Sequence, residues 1–451
     1  MAESGARARK LNPTGQDARA DAQAAAQAGP AGAAASAAAV SPRPRALFLS
    51  ADLPWPRDGG GRIATLHALE SMCRSHEVDL VAMADPVGKP DLAYLRSICR
   101  SVEVVTIPFT FGRHRVRQLG VLLRSLASRD PYRLRKFRSK RFETAARRRL
   151  AETRYDVVHC DQFGALPYVR LAPAGAVTTA AHHNVESDIY RLAAQQASNP
   201  LRKLFAANER RKLAGAERKW LRRFDHVFVL AQDDADLLAK LGVEGATVLP
   251  MPAPAAGAGD RLPPPAHRIL SLGSMSWYGV ADGLLWFHDQ VLPRVRAAVP
   301  DVVWELVGPN APPAIKRLAL DSGVVVTGYV ETLDPYVERA RVGIVPLRIA
   351  GGVRMKLLDF LARGLPAVST SVGERGLAIP DGAGCFERDD PDGFADAIVE
   401  LLTNDERWAE VAAAGRRFVL DHHSTASMDA AMADGIRLAN ERHQTDAKAG
   451  Q

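Results

Sequence analysis

The chain has 451 residues, 47% of them apolar and 24% charged, and a formal net charge of +8. It is too long for one hydrophobic core and too ordinary in composition for a disordered or fibrous protein, so two globular domains are expected. The positive balance points to an anionic partner, and no apolar run reaches the roughly 18 residues of a membrane span.

Met1 to about Pro42 is Ala-rich, and Gln23, Gln27 and Pro30 break any signal-peptide core, so a disordered tail is expected over 1–42. Cys73, Cys99, Cys160 and Cys385 are scattered without metal-ligand spacing and read as reduced thiols of a cytosolic protein, with no metal site. A first domain is expected over 43–249. It opens with a short buried strand, Arg45–Ser50. Gly59, Gly60, Gly61 and Arg62 follow, then a helix from about Ile63 to Cys73. Strand, glycine-rich turn and helix open a nucleotide-binding-like half. The turn is not GxGxxG, which argues against a dinucleotide. The glycines either let a substrate approach the backbone or make a plain tight turn.

Further strands are expected at Val78–Ala84, Val102–Ile107, Asp156–Cys160, Ala176–Ala181 and His226–Leu230, with helices between them. That alternation predicts a parallel sheet covered on both faces, with ligands at the carboxyl ends of its strands. His182, His183, Asn184 and Glu186 occupy such an end. A histidine there can move a proton near neutrality, or can simply be satisfied by backbone. Two stretches, Arg113–Arg149 and Arg202–Arg223, are strongly basic. In the first, Val116, Leu119, Leu122, Leu123 and Leu126 alternate with cations at helical spacing. Such a helix either lies on an anionic membrane surface or presents a solvated face. Nucleic acid is not expected, since no recognition module or aromatic platform accompanies the charge.

Pro250 to Ala266 is rich in Pro, Gly and Ala and reads as a linker over 250–266. The alternation restarts in a second domain over 267–422, with a single helix expected at Ala281–Ala298. A terminal helix and tail are expected over 423–451. The stretch Pro346–Leu377 organises this half. Ile344, Val345 and Leu347 close a buried strand. Ala350, Gly351 and Gly352 form a small-residue turn, and a helix runs from Val353 toward Gly364. Arg354 and Lys356 stand in its first turn, where cations oppose the helix dipole by about 0.3–1 kcal/mol each. A bound anion would reverse that sign, as a phosphate does at a helix N-terminus.

Several stretches resemble a known family: GSMSWYGVADGLLWFHDQVLP at Gly273–Pro293, LVGPN at Leu306–Asn310, VTGYVETLDPY at Val326–Tyr336, and GGVRMKLLDFLARGLPAVSTSVGERGL. DVVHCDQ and HHNVES match more loosely. The chain resembles a glycosyltransferase of the GT-B fold, in the retaining family 4 also called group 1, over about Arg45 to Leu420. The resemblance implies an α/β protein with two facing Rossmann-like domains, parallel sheets and a cleft between them. It implies a nucleotide-sugar donor (UDP- or GDP-linked) in the second domain and a saccharide or lipid-linked acceptor in the first, with no cofactor. Gly273, Ser274, Gly351, Gly352 and Val353 would face the donor diphosphate, which Arg354 and Lys356 would bind. Asp359 stands where the family usually has a glutamate for the ribose hydroxyls. His183 would lie near the sugar and acceptor, with Gly60, Gly61, Arg62, Asn184 and Glu186 in the cleft. The family's paired acids would need an acid where Gly351 stands, and Tyr278, Gly279 and Val280 replace its usual asparagine region. Glu374 and Arg375 stand in altered order. The implied setting is surface polysaccharide or glycolipid assembly, cytoplasmic and peripheral at the inner membrane face. Rival readings are a nucleotide-sugar 2-epimerase and a non-catalytic nucleotide-sugar-binding protein.

Overall fold

The computed structural model describes residues 43–449 apart from 58, 87–90, 111–113, 197–198, 255–260, 276–277 and 349–354. The tail expected over 1–42 lies outside the described residues, as do Gly351, Gly352, Val353 and Arg354.

Two parallel sheets organise the described chain. The first contains β1 (Arg45–Ser50), β2 (Glu77–Ala84), β3 (Ser101–Thr106), β4 (Val157–Asp161), β5 (Val177–His182), β6 (His226–Val229) and β7 (Thr247–Val248), in the order β3-β2-β1-β4-β5-β6-β7. The second contains β8 (Arg268–Leu272), β9 (Val303–Val307), β10 (Val324–Gly328), β11 (Val342–Val345), β12 (Ala367–Ser369) and β13 (Cys385–Glu387), in the order β10-β9-β8-β11-β12-β13. These strands read as apolar runs because both faces are covered. Along β1, Ala46 and Phe48 enter one apolar cluster while Leu47 and Leu49 enter another. In each sheet the strand order reverses beside the first strand, between β1 and β4 and between β8 and β11. Such reversals leave a crevice at the carboxyl ends, where ligands bind. This is the two-sheet GT-B architecture that the resemblance implied.

Three local expectations need correction. The helix after the glycine turn begins at Gly60, not near Ile63, so Gly60 and Gly61 are helical and Gly59 is its uncapped N-cap. The single helix expected at Ala281–Ala298 is interrupted by a π-helical turn at Phe287–Val291, between helices Tyr278–Trp286 and Leu292–Ala298. Pro293 is the cause, since it cannot donate to a carbonyl one turn earlier. The basic stretch Arg113–Arg149 forms three helices, Arg115–Leu126, Tyr132–Lys136 and Lys140–Glu152, and Arg113 lies outside the described residues.

The chain crosses between the sheets twice, and the crossings are tied together. Ala253 N donates to the His423 carbonyl at 2.8 Å, and His423 Nδ1 lies 3.1 Å from the Met251 carbonyl. The last helix, Thr425–Ala449, returns to the first sheet. Arg74 Nε and the Ser71 hydroxyl both reach Asp429 at 2.6 Å, and Met428, Met432 and Ala439 are fully or almost fully buried. No helix among the described residues is long and apolar enough to cross a membrane.

Candidate active site

The crevice of the first sheet holds a cavity of about 280 Å³ at the ends of β1, β4 and β5. Its walls include Gly59, Gly61, Arg62, Gln162, His183 and Glu186. Beneath it lies Asp161, the last residue of β4, fully buried. The Thr65 hydroxyl donates to one Asp161 oxygen at 2.6 Å, and His183 Nε2 lies 3.2 Å from the other. Burial alone would raise this carboxyl. The charge and hydrogen bond of His183, together with His159 Nε2 at 3.8 Å, outweigh burial and hold it far below the usual carboxylate range. Asp161 is therefore a fixed anion that orients the His183 ring. His183 Nδ1 is buried and has no hydrogen-bond partner among the described residues, so a ligand hydroxyl would complete it.

Glu186 is also buried, and Arg133 Nη2 lies 2.7 Å from it. Burial raises its carboxyl. His182 turns the other way, 3.2 Å from the buried Glu217. Arg62 pairs with Asp52 at 3.0 Å on the cavity wall.

A larger cavity, about 600 Å³, lies at the carboxyl ends of β8, β9 and β10. Gly273, Gly308, Tyr329, Lys356, Asp359 and Arg363 line it, and Arg57, Ile63 and His67 from the first sheet's helix region close it. Gly273 follows β8 directly, with φ +114°, and a Cβ built there would overlap Cε and Nζ of Lys356. Glycine is thus required twice, for the backbone angle and for the lysine. Lys356 belongs to helix Met355–Ala362, so its ammonium sits where the β8 turn meets that helix's first described turn. Asp359, one turn later, accepts from Arg363 Nε at 2.9 Å, and Arg363 also pairs with Asp334. Gly308 packs against Gly273, so the two strand ends approach within backbone contact.

Two family models match the chain: the glycosyl transferase 4-like domain over residues 59–254, and glycosyl transferases group 1 over 266–404. The chain belongs to the group 1 glycosyltransferases. This glycosyltransferase is 23% identical over 397 residues to an uncharacterized 44.6 kDa protein in the cps region of Klebsiella pneumoniae, covering 84% of this chain and 97% of that one. Among solved structures it is similar to sucrose-phosphate synthase of Thermosynechococcus elongatus, with TM-score 0.63 and 17% identity over 88% of this chain and 98% of that one. It is also similar to Anabaena HepE in complex with UDP and glucose, with TM-score 0.54 and 12% identity over 87% and 99%. At these identities the likeness to solved structures is one of fold.

The glycosyltransferase brings Gly273, Lys356 and Asp359 into one cavity and Gly61, Arg62, His183, Asn184 and Glu186 into another. Gly60 is exposed beside the second group. Ser274 is exposed at the rim of the first, 3.4 Å from the Asn310 amide. Sequence reasoning missed Asp161, Arg133 and Arg363. Asp161 was within reach, because it directly follows the expected strand Asp156–Cys160, as His182 follows Ala176–Ala181.

Glu374, in the short helix Ser371–Glu374, is buried and accepts from Ile379 N at 2.6 Å. Burial, and the nearby Glu387 and Asp233, push its carboxyl up to about 7 from an ordinary 4.5. A carboxyl raised on folding adds stability that is full below about 4.5 and lost as pH climbs through about 7. Glu374→Gln is expected to flatten this decline, read as urea midpoints at several pH values. Parallel profiles for variant and wild type would refute the assignment. The next residue, Arg375, pairs with Asp233 at 2.9 Å and so links the second half to the first.

Proposed function

We propose that this protein transfers a sugar from a UDP- or GDP-linked donor to a saccharide or lipid-linked acceptor, with retention and without a metal. The carrying observation is Lys356, seated against Gly273 in a cavity that also holds Asp359. As the bond from the anomeric carbon to the β-phosphate oxygen breaks, negative charge grows on the leaving diphosphate. The acceptor oxygen bonds to that carbon, and its proton passes to the departing phosphate or to His183. The Lys356 ammonium meets the growing charge, with Arg354 as the second cation of the reading. Asp359 would accept from the ribose hydroxyls while Arg363 holds its other edge. The UDP in the HepE complex makes UDP-sugars the first donors to try. The capsule-region relative supports a role in cell-surface polysaccharide synthesis. With excess EDTA, purified protein is expected to hydrolyse or transfer from at least one UDP- or GDP-sugar. Activity that vanishes with EDTA and returns with magnesium would overturn the metal-free part alone.

The same reading places the protein in the cytoplasm, against the inner membrane face. On helix Arg115–Leu126, Val116 is 89% exposed and Leu119, Leu123 and Leu126 about half exposed, one apolar stripe among Arg115, Arg117 and Arg124. Binding to vesicles containing anionic lipid is expected to fall with salt, and Leu119→Glu with Leu123→Glu to weaken it about tenfold or more. Vesicle binding unchanged in that double variant would remove the stripe from the reading.

A further inference from the structure

We infer that Cys73 and Cys99 are a modification site: with a peroxide they join as a reversible disulfide that ties helix Gly60–Ser75 to the edge of the first sheet. The inference does not depend on the glycosyl-transfer reading above. Spacing gave no hint of the pair, since the two cysteines stand 26 positions apart. In the fold their sulfurs lie 3.8 Å apart, in van der Waals contact. An S–S bond of about 2.05 Å asks them to close by about 1.8 Å. Both stand where the chain can give. Cys73 lies in the last turn of its helix, and Cys99 caps the short helix Ala93–Ile98 in an extended conformation. Cys160 and Cys385 are an internal contrast, buried on strands β4 and β13.

The two thiols are not equivalent. Cys73 is part-exposed and Cys99 is buried. The contact with Cys73, and burial, push the Cys99 thiol up. Cys73 is therefore the sulfur that meets an oxidant, and Cys99 the one that resolves it. The Cys73 sulfur bonds to one oxygen of hydrogen peroxide, the O–O bond breaks, and the leaving hydroxide takes up the thiol proton as water. The Cys99 sulfur then bonds to the Cys73 sulfur, the S–O bond breaks, and a second water leaves with the Cys99 proton. The two thiols give up two electrons in all, and one peroxide is reduced to two waters. The link falls at a strategic place. Cys99 stands two positions before β3, the outermost strand of the first sheet, most of which is half-buried. At the same end of helix Gly60–Ser75, Ser71 and Arg74 already reach Asp429 of the last helix. Further back, that helix gives Gly61 and Arg62 to one cavity and Ile63 and His67 to the other. Closing a loop of 26 positions also takes freedom from the unfolded chain.

The test treats the full-length reduced protein with hydrogen peroxide and counts its thiols in urea. The count is expected to fall from four to two, with one linked peptide joining Cys73 to Cys99, and to return to four with dithiothreitol. In the linked form the urea midpoint should rise, and amide exchange over Ser101–Thr106 should slow. Cys99→Ala, which keeps the buried position apolar, should stop the reaction at a Cys73 sulfenic acid that dimedone captures. Cys73→Ser should keep all of its thiols. The inference is overturned if four thiols persist in the wild type, if Cys73 is found joined to a second molecule, or if it is driven to sulfinic acid with no link formed. A link that leaves both the midpoint and the exchange over β3 unchanged would remove the tie to the sheet edge. None of these readings uses a transfer assay, so failure of the proposed function would leave their outcome intact.

Discussion

Lys356→Ala is expected to lower turnover by about 10²–10³-fold, the usual cost of losing one preorganised group that meets transition-state charge. The lysine is part-buried on a helix whose other face, Leu357, Leu358, Phe360 and Leu361, is in the core, so its removal should leave the fold intact. Gly273→Ala provides an independent check of geometry. The added methyl would overlap the end of the Lys356 side chain, which is flexible and can move away. That variant should therefore lose much of the same activity with the lysine still present. The φ of +114° adds backbone strain of about 1–3 kcal/mol, read as a lower melting temperature. Near-normal turnover in Lys356→Ala would remove the diphosphate assignment, whatever Gly273→Ala does.

Asp161→Asn should be the second large effect. In the native chain the buried carboxylate accepts from Thr65 and holds the Nε2 edge of His183. A neutral ring then presents Nδ1 as an acceptor. An asparagine that keeps the Thr65 bond turns its NH₂ toward Nε2, which moves the ring proton to Nδ1 and exchanges acceptor for donor. Transfer should fall by about 10²–10⁴-fold, the range for losing a positioned proton-transfer group. Asp161 titrates far below an ordinary carboxylate when folded, so its stabilising effect is present above the unfolded value, near 3.8, and is lost only in stronger acid. The asparagine variant should therefore lose stability at neutral pH but converge with the wild type in acid. Equal transfer rates for variant and wild type would show that His183 needs no particular orientation.

The fold was legible because parallel strands covered on both faces must be apolar throughout, and the helices between them leave glycine and proline at their ends. Leu47, Phe48 and Leu49, or Val342 to Val345, cannot be read another way. The larger cavity was legible in part for a different reason: Lys356 breaks a local rule by its charge at a helix start, whereas Gly273 was marked only by the family resemblance and its backbone angle emerged with the fold. Residues that break no rule were less visible. Arg133 sits in a run of cations, and only the fold shows that it turns inward to meet Glu186. Arg363 looks like an ordinary C-terminal helix cation until Asp359 and Asp334 are seen on either side of it. The π-helical turn at Phe287–Val291 was hidden because one proline shifts the ladder without ending the helix.

The return of Thr425–Ala449 to the first sheet has a consequence for biogenesis. The strands it covers are translated before the second sheet, yet the helix that shields Phe228 and His226 through Gly435 is translated after it. The first sheet must therefore wait, with a greasy flank uncovered, until the whole second sheet has been made. Chains cut short before Met428 should be caught by chaperones or proteases rather than persist as a stable half-molecule.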